Sequence, residues 1–190
     1  MNKIKEILNK LPFKLNPYIV TIAILILVII FSLVGRRSQD ATFDAFIDAY
    51  SELDAKAIVK LMPDEYIDAL VDAGRIDGRS DMERIVQNSL DYKFENYYEE
   101  DAWSYSFEIV SEKTYKKSDD DLTFKGVQKD FGEYGDKIKE VVIISFDPTI
   151  TYRDYNDDID ERALTRSYVT LVKIGQSWYL AEFHDIANWF

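Results

Sequence analysis

The sequence predicts an α+β fold, with an N-terminal transmembrane helix followed by a cone-like domain of helices packed on a curved antiparallel sheet. Three observations support this prediction. Residues 17–34 carry no charge and consist mostly of Ile, Leu and Val. Apolar residues recur at helical spacing between residues 43 and 97, and they alternate with polar residues from residue 103 onward. Helices followed by a run of strands are typical of α+β domains.

The apolar run is long enough to cross a membrane. Its 18 residues would form a helix of roughly 27 Å, close to a hydrocarbon core of about 30 Å. A cleaved signal peptide is the alternative, but its apolar region spans about 7–15 residues and ends at a small-x-small site. Gly35-Arg36-Arg37 follows the run instead. We therefore expect an uncleaved signal anchor.

The signal anchor divides the chain into four predicted segments. They are a cytoplasmic basic tail at 1–16, the transmembrane anchor at 17–35, a linker at 36–41 and an extracytoplasmic domain at 42–190.

Positive charge near the apolar run predicts its orientation. The charged residues are Lys3, Lys5, Lys10, Lys14, Arg36 and Arg37. Because the four lysines precede the run, we expect the N-terminus in the cytoplasm and the large domain outside the cell membrane. The lipid bilayer is then a partner of residues 17–34. Residues 4–15 would form either a short basic helix on anionic lipid or a disordered tail.

The charge of the outer domain argues against several classes of partner. Residues 1–37 hold six of the 23 basic residues and one of the 35 acidic ones, so residues 38–190 carry a formal charge of −17. Such a surface repels phosphate backbones, and we expect no nucleic-acid binding. The chain has no cysteine and one histidine, which predicts no disulfide, no transition-metal site and no cofactor.

Local signals predict where four helices begin and end. Asp54 is placed to cap the second helix, and Pro63 suits the first turn of the third. Gly74 is placed as a C-terminal cap of the third helix. Ser80-Asp81-Met82-Glu83 has the pattern of a capping box that opens the fourth.

Alternating polarity predicts the strands. The segments are 103–109, 142–152, 163–174 and 177–184, with a broken helix at 119–139. Pro148 predicts an edge position or a bulge in its strand, since proline has no N–H to donate. Gly175-Gln176 predicts a type II′ hairpin turn. The core is expected to bury Phe46, Tyr50, Trp103, Phe107 and Phe146 together.

Several of these segments resemble the nuclear transport factor 2-like superfamily, in particular membrane-tethered extracytoplasmic members from Gram-positive bacteria. The similar segments are Thr42-Phe43-Asp44-Ala45-Phe46, Leu53-Asp54-Ala55-Lys56-Ala57, the Pro63 break and Lys173-Ile174-Gly175-Gln176-Ser177-Trp178-Tyr179-Leu180. The resemblance covers roughly residues 41–184. It implies a cone with a concave sheet, and it transfers no functional residue. The superfamily includes isomerases, dehydratases and binding or scaffold domains, so the fold alone does not decide the function.

Aromatic side chains are the candidate ligand-binding residues. They are Tyr66, Trp103, Tyr105 and Trp178. Tyrosine offers apolar area with a polar tip, although ordinary core packing would use the same residues. Isomerases of the resembled superfamily place an acidic base and a tyrosine-type donor inside the cone. Asp68 with Tyr66 or Tyr105 could take those positions.

Two polar motifs remain as candidates for chemistry. Asp154, Asn156 and Asp158 begin like a calcium-binding loop, but Ile159 stands where such a loop needs glycine. A solvated hairpin loop is the alternative, and we expect no metal. His184-Asp185 could form an acid–base dyad or could simply be exposed. With no other motif typical of an active site, the sequence predicts no catalytic residue.

These observations lead to three hypotheses on function. The first is a non-enzymatic, single-pass membrane-anchored domain that binds a protein, peptide or envelope ligand or acts in assembly. The second is a scaffold subunit of a conjugation or secretion apparatus. The third is a small-molecule enzyme of the isomerase or dehydratase type. An interior filled by Trp103, Phe107 and Phe146 would argue against the third hypothesis, and a deep polar pocket with a buried carboxylate facing a tyrosine would favour it.

Overall fold

The computed structural model describes Ile22 and the segments 36–94, 104–153 and 158–183. The chain divides into two compact units, Met1–Arg36 and Arg37–Phe190. Apart from Ile22, the predicted tail and anchor lie outside the described residues. None of the helices within those residues is both long enough and apolar enough to cross a membrane.

Four helices precede the first strand in the described part of the second unit. They are α1 (Gln39–Ser51), α2 (Ala55–Lys60), α3 (Asp64–Asp72) and α4 (Arg79–Phe94). The predicted cap of α2 is confirmed, because an Asp54 carboxylate oxygen accepts a hydrogen bond from the Ala57 N–H at 2.8 Å. The predicted glycine cap of α3 is also confirmed, since Gly74 takes a φ of +67° just beyond the helix.

Two helix starts differ from the sequence-based prediction. Helix α1 begins at Gln39, so residues 39–41 of the predicted linker are helical, and the Ser38 hydroxyl accepts a hydrogen bond from the Ala41 N–H at 3.1 Å. Helix α4 begins at Arg79, so Ser80 lies inside the helix and is not the predicted N-cap. The earlier start of α1 follows from the Ser38 hydroxyl, which lies outside the apolar pattern and satisfies one of the first backbone N–H groups of the helix.

The second half of the unit is a sheet with one helical insertion. Its elements are β1 (Ser104–Lys116), α5 (Leu122–Asp130), a 3₁₀ helix (Gly132–Lys137), β2 (Ile138–Arg153), β3 (Ile159–Ala163), β4 (Ser167–Ile174) and β5 (Ser177–Phe183). The broken helix predicted at 119–139 is confirmed by α5 and the 3₁₀ helix. Strands β1 and β2 are longer than predicted. The strand predicted at 163–174 is shorter, since β4 begins at Ser167 and Ala163 belongs to β3.

The strands form one curved antiparallel sheet with the helices packed on it. The order is β1-β2-β4-β5, and β3 pairs with β2 beyond the end of β4. The β4–β5 hairpin turns at Gly175, which has a φ of +63°, whereas Gln176 does not take a positive φ. This combination agrees with the predicted type II′ turn.

Pro148 lies in the central strand β2, so the predicted edge position is wrong. The adjacent strand is interrupted there, because β3 ends at Ala163 and β4 begins at Ser167. The Leu164 N–H between them donates a hydrogen bond to the Pro148 carbonyl at 2.9 Å. The N–H and C=O groups of a strand residue face the same side, so the N–H that Pro148 lacks would have faced this interruption. The strand register shows no bulge in β2 at Pro148, and the irregularity lies in the neighbouring strand between Ala163 and Ser167.

The predicted core is present among the described residues. Phe46, Tyr50 and Phe146 are each no more than 2 % exposed, and Phe107 is half-buried against them. Trp103, the fifth member expected there, lies outside the described residues.

Candidate functional site

Three aromatic rings fill the space between α1 and the strands β1 and β2. The Phe43 ring meets the Phe107 ring at 5.5 Å and the Phe146 ring at 6.0 Å, in both cases edge to face. The Phe107 and Phe146 rings are 6.1 Å apart. This mutual packing leaves no room for a ligand between the three rings.

Tyr105, one of the candidate ligand-binding residues, belongs to a second aromatic group next to the first. The Tyr50 ring is its centre, with the Tyr105 ring at 5.3 Å, the Phe94 ring at 5.6 Å and the Phe183 ring at 6.1 Å. The geometry assigns Tyr105 to the packed core of the unit.

Tyr66, the second candidate, lies in a different environment. It is buried and stacks on the Phe131 ring with centroids 4.8 Å apart. Burial raises the pKa of the Tyr66 hydroxyl well above its usual range, and the charges of Glu182 and Asp130 act in the same direction. Asp68, the acid suggested by the sequence, is exposed.

Glu182 is the titratable group of most chemical interest near Tyr66. Burial raises the pKa of its carboxyl group, and the negative charge of Asp130 raises it further. The carboxylate of Glu182 in turn adds to the rise that burial causes in the pKa of Tyr168. A carboxyl group with a raised pKa beside tyrosines can hold a proton or exchange it with a ligand.

After a bulge in β5, the Glu182 side chain lies on the face of the strand opposite to the aromatic core. Leu180 pairs with Leu171 and Glu182 pairs with Thr170, which leaves Ala181 as the extra residue. The next residue along β5 lies in the aromatic core, so Glu182 takes the opposite face of the strand. Glu182 and the core aromatics therefore belong to separate environments.

Trp178, the third described candidate, joins β5 to the beginning of the unit. Its backbone N–H donates a hydrogen bond to the Arg37 carbonyl at 3.0 Å, and its carbonyl accepts one from the Thr42 hydroxyl at 3.2 Å. The side chain is 8 % exposed, with the Lys173 ammonium group 5.5 Å from the ring centroid. These contacts indicate a structural role.

The remaining candidates lie wholly or partly beyond the described residues. Asp154, Asn156, Trp103 and the His184-Asp185 pair are outside them. Asp158 is exposed in the connection between β2 and β3, as expected for a hairpin loop. In the described segments, no three acidic or histidine side chains lie close enough together to hold a metal ion.

A surface depression that the sequence did not reveal lies between α2, the starts of α3 and α4, and β5. We call it the lysine groove. Its volume is about 400 Å³, and its lining residues are Lys56, Lys60, Met62, Pro63, Asp64, Glu65, Arg79, Glu83 and Tyr179. This volume is within the range of small-ligand and peptide-side-chain sites.

Arg79 fixes one wall of the lysine groove. Its guanidinium group donates hydrogen bonds to the Val59 carbonyl at 2.6 Å and to the Met62 carbonyl at 3.4 Å. It also pairs with the Asp64 carboxylate at 2.5 Å. Arg79 therefore holds the end of α2 against the start of α3, so this wall is formed before any ligand binds.

A second depression surrounds the first turn of α4, and it is already occupied by a side chain of the helix. One Asp81 carboxylate oxygen accepts a hydrogen bond from the Asp77 N–H at 3.2 Å, and the other pairs with Arg84. An external anion would meet the Asp81 carboxylate at the position that the helix N-terminus favours for negative charge.

Sequence reasoning missed the residues of the lysine groove for two different reasons. Lys56 and Lys60 are four residues apart, and this spacing on a helix could have indicated a shared basic face. Arg79 and Tyr179 reach the same groove only through the fold, and no local pattern connects them with α2.

Comparison with known proteins identified no relative. No protein-family model matches the chain, and no curated protein is similar to it in sequence.

Proposed function

We propose that this chain is a single-pass membrane protein whose extracytoplasmic domain binds a protein, peptide or envelope ligand and is not an enzyme. The apolar run at 17–34 supports the anchor, and the four lysines before it support a cytoplasmic N-terminus. The proposed domain belongs to the nuclear transport factor 2-like type, with the helices and curved sheet forming its cone.

The observation that carries the proposal is the packing of the cone interior. Phe43, Phe107 and Phe146 pack on one another between α1 and the sheet, where the resemblance implies that an enzyme would hold its substrate. A partner must then bind on the outside of the domain. The lysine groove is the site that best supports such binding, because it is open to solvent and one of its walls is fixed by Arg79.

Glu182 favours one alternative, an enzyme that uses a proton-holding carboxyl group. The raised pKa of Glu182 and its position near Tyr66 support this reading. The two proposals differ in where a ligand would bind. An enzyme would bind a small molecule near Glu182, whereas a binding domain would hold its partner at the lysine groove.

Site-specific photocrosslinking in the native cells tests the proposal. Tyr179, in the groove, is replaced by a benzophenone-bearing phenylalanine in the full-length membrane protein. Tyr92, which is 77 % exposed near the end of α4, receives the same replacement as the control. Nine residues of helix separate Tyr92 from Glu83, a distance of about 14 Å. We expect a discrete adduct from position 179 and none from position 92, whereas no adduct from position 179 would contradict the proposal.

A further inference from the structure

We infer that the lysine groove binds a peptide segment that presents one acidic side chain between apolar neighbours. The inference deepens the proposed function and rests on it. Four features of the groove support this ligand class: two lysines whose side chains have no partner among the described residues, the carboxylates that line the same space, the apolar floor and the rigidity of one wall.

Lys56 and Lys60 are the positively charged residues of the groove that can bind an anionic group. Asp64 pairs with Arg79, and Glu65 pairs with Lys137 outside the groove at 3.2 Å. Within the described segments the side chains of Lys56 and Lys60 make no hydrogen bond or ion pair, and both residues are exposed. Their spacing of four residues places both ammonium groups on one side of α2.

The net charge of the groove differs in sign from that of the domain. With Arg79 as the partner of Asp64 and Lys137, outside the groove, as the partner of Glu65, the charges that remain are the two lysines and the carboxylate of Glu83, a net charge of +1. The domain around it carries a formal charge of −17. An anionic group is therefore attracted to this position and repelled by most of the remaining surface.

The acidic residues of the groove limit the kind of anion that fits. Glu83 lines the same space as the two lysines, and the ion-paired carboxylates of Asp64 and Glu65 lie beside it, so the groove has little positive charge to balance a multiply charged phosphate. A single carboxylate beside Lys56 and Lys60 is the better match. Its charge is satisfied by the two ammonium groups without a large repulsion from the opposite wall.

The floor of the groove favours a carboxylate on a larger apolar chain over a free small acid. Met62 and Pro63 are buried, and the half-buried Tyr179 ring stands beside them. In the described part of the chain the Tyr179 hydroxyl makes no hydrogen bond, so it remains able to donate one to a peptide carbonyl. Apolar residues on both sides of the acidic residue would cover this floor.

Rigidity of the wall favours binding of an extended segment. Arg79 ties the last carbonyls of α2 to the start of α3, so the ligand need not order these elements itself. The entropy cost of association is then borne mainly by the peptide.

Selection from a random peptide library tests the inference. The full chain is placed in phosphatidylcholine nanodiscs and immobilised, and phage displaying random linear peptides are selected on it. The variant Lys56→Ala with Lys60→Ala serves as the test. Lys125→Ala with Lys129→Ala is the matched control, since these exposed lysines have the same spacing on α5.

We expect selected peptides to contain one Asp or Glu flanked by apolar residues. They should bind the Lys56/Lys60 variant about tenfold more weakly, as two exposed charge pairs of about 0.7 kcal/mol each would give. Their binding to the Lys125/Lys129 variant should be unchanged. Absence of enrichment, enrichment without an acidic residue, or equal binding to both variants would overturn the inference. An adduct from position 179 in cells together with any of these results would leave the proposed function intact.

Discussion

The Phe43 ring contacts the Phe107 ring edge to face, with centroids 5.5 Å apart and planes at 84° to each other. This contact connects α1 with β1 and helps to fill the space between α1 and the sheet. Mutation of either ring therefore tests whether the interior of the domain is tightly packed.

Replacing Phe107 with alanine should lower the free energy of unfolding by about 3 kcal/mol, because it removes a ring that packs on both Phe43 and Phe146. Urea unfolding of the full chain in a mild detergent, followed by tryptophan fluorescence, measures the change. Tyr92→Ala removes an exposed ring and should change the free energy by less than about 0.5 kcal/mol. Equal effects of the two changes would indicate that the interior is not tightly packed.

The acidic face of α1 predicts a stabilising substitution. Asp40, Asp44 and Asp48 are exposed at four-residue spacing, and the helix contains no basic residue. Asp48→Lys should raise the free energy of unfolding by about 0.5–1 kcal/mol at low salt, since it relieves the repulsion from Asp44 and places a cation near the helix C-terminus.

The matched control for this substitution is Asp40→Lys in the first turn of α1. There the same charge change places a cation at the positive end of the helix dipole and should give a smaller gain or a loss. Thermal unfolding at low and high salt compares the two variants. Equal stabilisation of both variants, or a stabilisation by Asp48→Lys that persisted at 0.5 M salt, would show that the charges along α1 are not the cause.

Ser38→Ala should lower the free energy of unfolding by about 1 kcal/mol. The Ser38 hydroxyl accepts a hydrogen bond from the Ala41 N–H at 3.1 Å and so caps α1. Ser51→Ala at the other end of α1 removes an exposed hydroxyl that donates to the Asp48 carbonyl at 2.8 Å, and it should have a smaller effect. Chemical unfolding of both variants makes the comparison. An equal loss in both would rule out capping as the cause.

Glu182 predicts how stability should change with pH. Burial and Asp130 raise the pKa of its carboxyl group above the value in the unfolded chain. The stability that this group contributes is complete below the unfolded pKa of about 4.3 and decreases as the pH rises through the folded pKa. Glu182→Gln should therefore raise the melting temperature at neutral pH and leave it unchanged near pH 3.5.

The pKa of Asp147 is shifted in the opposite direction from that of Glu182. Its carboxylate accepts two hydrogen bonds from Arg166, at 2.6 and 2.8 Å, and these hold its pKa below the usual range. Asp147→Asn should lower the melting temperature at neutral pH, and the loss should shrink as the pH falls through the folded pKa. Melting curves of both variants between pH 3 and 8 measure the two trends. If the melting temperatures of the two variants changed with pH in the same direction relative to the unchanged protein, the assignment of a raised pKa to Glu182 and a lowered pKa to Asp147 would be wrong.

Features that depend on neighbouring residues were predictable from the sequence. The Asp54 cap, the Gly74 cap and the Gly175 turn each depend on the conformation or hydrogen bonding of a few adjacent residues. Pro148 shows the limit of such reasoning. Its missing N–H had to be accommodated, but only the pairing of three strands shows that the neighbouring strand is interrupted there.

The candidate site was harder to predict than the fold. Tyr66 was identified, but the acids near it come from the end of α5 and from β5 rather than from its own helix. The lysine groove joins Lys60, Arg79 and Tyr179, which meet only after α4 and β5 have packed against α2. Contacts between residues so distant along the chain leave no periodic signal in the sequence.

Photocrosslinking from position 179 in cells that carry the lysine variants shows whether the domain holds its partner at the lysine groove through Lys56 and Lys60. We expect a discrete adduct in the otherwise unchanged protein and in the Lys125→Ala/Lys129→Ala control. In Lys56→Ala/Lys60→Ala we expect at least a severalfold loss of this adduct. An adduct of equal yield in all three proteins would contradict binding through these two lysines.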